Sequence, residues 1–321
     1  MDTKSQKTTN FKRAIFLSWY CSKGDCTFCY MSTQKNLITE PMKARRRFES
    51  VFAEAIITKA CGWDVEFLSG GYDSYTKDEL LFIIKTVSQI TGEKQWLNLG
   101  VLNEKDLTLF SPYVEGYIGT IECINPKIQK IVCPSKPVMP ILNTFRICDK
   151  LGIKKGITII IGLGETIDDF PKLSEFIKEH KLQRITFYSL NPHKGTSFTS
   201  SPKIEYYVQW IEKTREEFPN LEIIAGAWHD KTRYFSKLLL AGADYFTKFP
   251  ALKYFGTKKA REIEEEVKFA NREFLGTLTK IPEIDLDEEV NRLDITDDLK
   301  RRLKLKLNEY IEGMKSTNDD K

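Results

Sequence analysis

Histidine is scarce in this sequence. His180, His193 and His229 are the only three in 321 residues, and none stands near the densest group of cysteines. Long apolar runs are also missing. Nothing approaches the roughly 18 consecutive apolar residues of a membrane-spanning helix. The N-terminal stretch MDTKSQKTTN is polar and has no apolar core, so no secretory leader is expected. Charge of one sign is not in excess. The 49 Lys and Arg against 45 Asp and Glu leave a net +4, which argues for neither nucleic acid nor an anionic membrane as a partner. A disulfide framework is not indicated by seven cysteines, an odd number unevenly spread. These absences predict a cytoplasmic protein with reduced thiols.

What is present is ordinary globular material, 41% hydrophobic and 29% charged, arranged with a regular beat. Strand-like segments AIFLSWY (14–20), VEFLSGG (65–71), QWLNLG (95–100), EGYIGTIEC (115–123), ITIIIGL (157–163), RITFYSL (184–190), LEIIAG (221–226) and DYFTKFP (244–250) alternate with helical patterns. ITIIIGL is almost wholly apolar, as a strand buried on both faces should be. Eight strand–helix units over about 250 residues fit an α/β fold of the (β/α)8 barrel type, with an open doubly wound sheet as the alternative. A disordered tail is expected over 1–12, the barrel over 13–275 and a C-terminal helical extension over 276–321. The extension turns from acidic (IPEIDLDEEVNRLDITDD) to basic (LKRRLKLKLNEYIEGMK), which reads as a solvated cap on the barrel.

The chemistry concentrates in WYCSKGDCTFCYMS (19–32), where Cys21, Cys26 and Cys29 fall within nine positions. They lie just past the first strand, where the βα loops of a barrel converge on one face. Zinc would want a fourth ligand, or three plus water. A redox Cys-x-x-Cys is present at Cys26–Cys29 without the expected thioredoxin-like context. An iron–sulfur cubane has four irons, and three thiolates leave one of them open. Three unrelated core cysteines are the remaining alternative.

The stretch resembles the radical S-adenosylmethionine (SAM) superfamily, whose hallmark is a cysteine triad with an aromatic residue before the last cysteine, here Phe28. The first gap holds four residues, Ser22 to Asp25, where the superfamily usually has three. Further segments resemble the biotin-synthase-like group in order and spacing: FLSGGYDSY (67–75), GLGET (162–166), NPHKGT (191–196) and LLLAGADYF (238–246). The resemblance implies a [4Fe–4S] cluster on Cys21, Cys26 and Cys29, with SAM on the open iron. It implies SAM contacts from Phe28, from Ser69, Gly70 and Gly71, from Glu122, and from Gly162, Gly164 and Glu165. Asn191, His193 and Lys194, and Trp228, His229 and Asp230, should overlook the mouth. Glu122 is alternatively a salt-bridge residue, and His229 alternatively a solvated one.

Biotin synthase itself is not indicated, because VEFLSGG, QWLNLG and ITIIIGL hold no cysteine and LEIIAG no arginine to ligate that enzyme's second cluster. Cys61 and Cys148 read as buried packing residues. Cys123, expected to face the barrel mouth, and Cys133 are candidates to hold part of a second iron–sulfur cluster. With two clusters, the resemblance points to sulfur insertion into an octanoyl-lysyl carrier protein, as in the archaeal two-protein lipoyl synthases. It implies an electron donor of the ferredoxin or flavodoxin type, an octanoylated carrier and a second radical SAM subunit as partners. The alternatives are a cofactor maturase of the iron-guanylylpyridinol or hydrogenase type, and a non-catalytic iron–sulfur protein.

Overall fold

A computed structural model of the chain describes residues 7–319. The strands are β1 (Lys7–Asn10), β2 (Lys12–Phe16), β3 (Asp64–Ser69), β4 (Gln95–Asn98), β5 (Val114–Glu122), β6 (Lys154–Ile161), β7 (Arg184–Ser189), β8 (Glu222–Gly226), β9 (Tyr245–Thr247) and β10 (Arg272–Leu275). The α-helices are α1 (Tyr30–Gln34), α2 (Phe48–Ala60), α3 (Lys77–Thr91), α4 (Glu104–Phe110), α5 (Pro126–Val132), α6 (Val138–Leu151), α7 (Phe170–His180), α8 (Ile204–Glu217), α9 (Phe235–Leu240), α10 (Lys258–Phe269), α11 (Leu286–Asn291) and α12 (Asp297–Asp319).

Strands β2 to β9 pair in sequence order, every neighbour parallel, into an eight-stranded barrel. This is the expected architecture, built where apolar strands are covered on both faces. Closure is incomplete. Between β9 and β2 there is a single bridge, Phe11 with Phe246, at the base. Glycines at the ends of α3 and α6, Gly92 (φ 79°) and Gly152 (φ 67°), take the left-handed conformation that stops those helices.

One correction concerns the N-terminal end. Residues 1–6 of the expected tail lie outside the described residues, whereas Lys7–Asn10 are strand β1, paired parallel with β10 from Lys7–Arg272 to Asn10–Leu275. The alternation of TTNF, with Thr9, Asn10 and Phe11 buried, is too short to stand out without its partner strand. At the other end, α12 lies along α2 and buries Leu299, Leu303, Leu307 and Met314. Helix α2 is therefore covered on both sides, which explains why it buries Glu49 and Glu54 with its apolar residues. Among the described residues no helix is long and apolar enough to cross a membrane.

Candidate functional site

The loop after β2 carries the cysteine triad across the barrel mouth. Leu17 N–H donates to Ser69 O at 2.7 Å, Ser22 N–H to Tyr72 O at 3.2 Å and Thr27 N–H to Val132 O at 2.9 Å, so the loop is tied to the ends of β3 and α5. Cys29 caps α1 with extended backbone. The four-residue first gap turns at Gly24 (φ 47°), where a Cβ would stand 2.9 Å from Lys35 Cγ. Lys35 Nζ in turn donates to Lys23 O at 2.8 Å. The extra residue is thus absorbed by a left-handed turn that only glycine takes without strain.

Gly71 is the closest approach of β3's end to the triad. A Cβ there would lie 2.6 Å from both Cα and Cβ of Cys21 and would overlap Tyr20 O. Gly70 has room, its nearest neighbour being 3.7 Å from that point, and Ser69 is buried. Around the GLGET turn, Gly162 (φ 111°) and Gly164 (φ 117°) are left-handed. The Glu165 carboxylate folds back to accept from the N–H of Gly162 at 2.7 Å and of Leu163 at 2.9 Å, and Tyr206 OH donates to Glu165 O at 2.8 Å. Burial raises the Glu165 pKa against these hydrogen bonds. Glu165 therefore holds its own loop in shape. Glu122 is likewise occupied: Lys136 Nζ sits 2.9 Å and Thr158 Oγ1 3.3 Å from its carboxylate, the salt-bridge alternative.

Cys21 and Cys29 are half-buried and Cys26 is buried. Among the described residues no group of three or more His, Cys, Asp or Glu converges on a point that would hold one metal ion. A cubane does not require that, since it takes its cysteines on separate irons. Three soft thiol donors on one short loop, with two of them half-buried, fit an iron–sulfur cluster better than a single ion.

Of the other cysteines, two sit where the sequence places them. Cys61 and Cys148 are packed in the main core, and burial pushes each thiol up to about 12. Cys123, expected to face the mouth, is buried rather than open to solvent there. Glu122 has φ 65° and Cys123 N–H closes a tight turn onto Ile121 O at 2.8 Å, which breaks the pleat that predicted its direction. Cys123 is instead 1% exposed in a small cluster with Cys26, Val132, Cys133, Leu163 and Leu190. Cys133 packs with Cys26 in this cluster, and the neighbouring thiol lowers the Cys26 pKa despite burial and raises that of Cys133.

A cavity of about 1010 Å³ opens beside the triad. At one end it is lined by Phe28 and Cys29. It passes Ile160, Tyr188 and Trp228, and through the β2/β9 seam it reaches Arg13 and, on α12, Tyr310. Of the mouth residues expected from sequence, Asn191, His193 and Trp228 line it. His229 does not, its Nδ1 lying 3.0 Å from Lys259 Nζ.

Two residues went unnoticed in the sequence. Glu66 of β3 is fully buried inside the barrel. It accepts from Thr247 at 2.5 Å, Tyr188 at 2.8 Å and Thr186 at 3.2 Å, and burial raises its pKa above the usual carboxylate value. Lys248, directly after β9, reaches into the cavity, and burial lowers its pKa. The signal available was a charged residue at the end of a predicted barrel strand, in DYFTKFP.

Comparison with known proteins agrees with this geometry. The family model described as Radical SAM superfamily matches residues 19–177. The Uncharacterized protein MJ0597 of Methanocaldococcus jannaschii is 46% identical over 277 residues, covering 85% of this chain and 76% of that protein. Biotin synthase of Crocosphaera subtropica is 28% identical over 196 residues, covering 58% of this chain and 51% of that one. Ribosomal protein uS12 methylthiotransferase RimO of Escherichia fergusonii is 24% identical over 220 residues, covering 60% and 46%. The chain thus matches about half the length of these last two. The crystal structure of methylornithine synthase (PylB) superposes with a TM-score of 0.61 at 17% identity over 75% of this chain and 72% of that one, a likeness of fold.

Proposed function

The chain belongs to the radical SAM superfamily and is related to biotin synthase and methylthiotransferases; on that premise we propose that it is an enzyme abstracting hydrogen from a substrate held in the cavity at its barrel mouth. The observation that carries this is the placing of Cys29 and Phe28, at the end of the triad, on the wall of the 1010 Å³ cavity. Cys21, Cys26 and Cys29 would hold a [4Fe–4S] cluster. When bound with SAM, such a cluster supplies one-electron cleavage of the sulfonium and a 5′-deoxyadenosyl radical.

The chain's own residues do the positioning. Gly71 gives the Cys21 backbone room against β3. Glu165 fixes the Gly162–Gly164 turn on the SAM side. Phe28, Ile160 and Tyr188 keep water from the reacting end. The electron comes from a donor of the ferredoxin or flavodoxin type, and a thiol-ligated cluster suits a reducing, cytoplasmic setting. The test is anaerobic reconstitution and reduction, followed by measurement of 5′-deoxyadenosine. A reduced, cluster-loaded protein that leaves SAM intact overturns the reading and leaves a non-catalytic iron–sulfur protein.

Sulfur insertion into an octanoyl-lysyl carrier is a second reading. It is supported by the relation to biotin synthase and to a methylthiotransferase, and by a largely apolar-lined cavity that runs from Cys29 to Tyr310 on α12. Cys123 and Cys133 give little support to a second cluster within this chain, because Cys133 touches Cys26 itself. The sulfur donor would then belong to a second radical SAM subunit. Thiolated product from an octanoyl-lysyl peptide, formed only with that subunit, is the result that distinguishes this reading from a single-cluster maturase.

A further inference from the structure

Lys248 has no hydrogen bond and no ion pair among the described residues. Its ammonium stands over the rings of Tyr188, at 4.8 Å from the centroid, and Phe16, at 5.6 Å. Its backbone is left-handed, φ 74°, a costly conformation for a side-chain-bearing residue and one that clusters at functional sites. Gly226 makes space for it: a Cβ there would lie 3.1 Å from Lys248 Cγ and 2.7 Å from Tyr188 Cε1. The fold therefore spends strain to hold a lysine inside the cavity that Cys29 also lines. Glu66 and Glu122 act on the Lys248 ammonium without bonding it, and a half-buried charge that no side chain bonds is costly, so an anion entering the cavity is favoured there.

We propose that Lys248 is the anion-binding residue of this cavity, receiving the carboxylate of a small, otherwise largely apolar substrate. The inference rests on the reading that this cavity holds the substrate. Carboxylate fits better than phosphate because Lys248 offers one compact charge, whereas phosphate sites gather arginine forks or several donors. The two arginines of the cavity are already engaged: Arg13 Nε and Arg46 both pair with Glu54, at 2.6 and 2.5 Å. The neighbouring hydroxyls of Tyr188 and Thr247 are turned to Glu66, and of the other polar residues lining the cavity, among them Asn191, His193 and Lys253, Lys248 is the cation that stands over Phe16 and Tyr188, where an apolar substrate's carboxylate would lie.

The test is calorimetric binding of octanoate, octanamide and octyl phosphate to the cluster-loaded protein with SAM present. We expect octanoate to bind about tenfold or more tightly than octanamide, this preference to vanish in Lys248→Met and to persist in Lys248→Arg. Equal binding of octanoate and octanamide by the wild type overturns the proposal, even where Lys248→Met does not fold. So does a preference that survives in Lys248→Met, or tighter binding of octyl phosphate than of octanoate. The methionine part of SAM is the other source of a carboxylate. Loss of SAM affinity in Lys248→Met with the octanoate preference intact assigns Lys248 to SAM and also overturns it. These measurements need no turnover, so a protein that fails to cleave SAM, which sinks the proposed function, still returns a result here.

Discussion

Gly71 lies against Cys21 so closely that a methyl group on Gly71 would come 2.6 Å from the Cys21 Cα and Cβ. The end of the second barrel strand is thus the bed on which the first cysteine of the triad rests. Gly71→Ala has to push the loop off that bed. We expect it to lose most of its cluster-bound iron while keeping a cooperative thermal transition, whereas Gly70→Ala, with 3.7 Å to spare, loads iron like the wild type. Iron and sulfide analysis after reconstitution checks both.

Iron content also separates the cysteines. The wild type is expected to hold about four irons per chain, and Cys26→Ala to hold almost none. Cys133→Ala should still load, because the three thiols of the short loop suffice for one cluster and Cys133 is a buried neighbour of Cys26. Eight irons in the wild type with four in Cys133→Ala would restore a second cluster.

Glu54 carries a pH dependence of stability. Burial alone would raise its pKa, but the guanidiniums of Arg13 and Arg46 outweigh burial and hold it below its ordinary 4.5. The sign follows: its stabilising contribution is complete above the unfolded value near 4.5 and is lost as pH falls through the depressed folded value. Removing the carboxylate strands two buried guanidiniums, so Glu54→Gln should cost roughly 3–5 kcal/mol near neutral pH. Urea unfolding from about pH 6 down to about pH 3 should show the two proteins converging.

Tyr310 ties the C-terminal helix to the barrel. Its hydroxyl lies 2.7 Å from Ser50 Oγ and accepts from Arg46 at 3.2 Å, at the place where the cavity meets α12. Tyr310→Phe should cost about 1 kcal/mol in unfolding free energy. Limited proteolysis should then cut α12 sooner than in the wild type.

Glu165→Gln keeps the size of the side chain and removes its charge. With one of its two acceptor oxygens replaced by a donor, it can no longer satisfy the N–H groups of both Gly162 and Leu163. We expect SAM to bind several-fold more weakly by equilibrium dialysis, with little change in thermal stability.

Much of this was readable before the fold was known. The eight strands stand out because each is apolar and bounded by glycine or polar turns, and parallel burial leaves little choice of partner. The triad is legible because its three thiols sit on one short loop. The seam between β2 and β9 was not legible, since nothing in either strand marks the pair that fails to close. The packing of Cys123 beside Cys26 was not legible, because a left-handed Glu122 interrupts the alternation on which such a reading depends.

The sequence by itself determined the order of the strands, the three thiol donors and the glycines that let backbone approach them, because these are properties of short segments. The tertiary structure decided the rest. It set Cys133 against Cys26, clasped Glu54 between Arg13 and Arg46, and left Lys248 facing the cavity with no side chain bonded to it. Each of these joins residues from different strand–helix units. Their meeting depends on barrel registration and on the burial of charge, neither of which is encoded within any one segment.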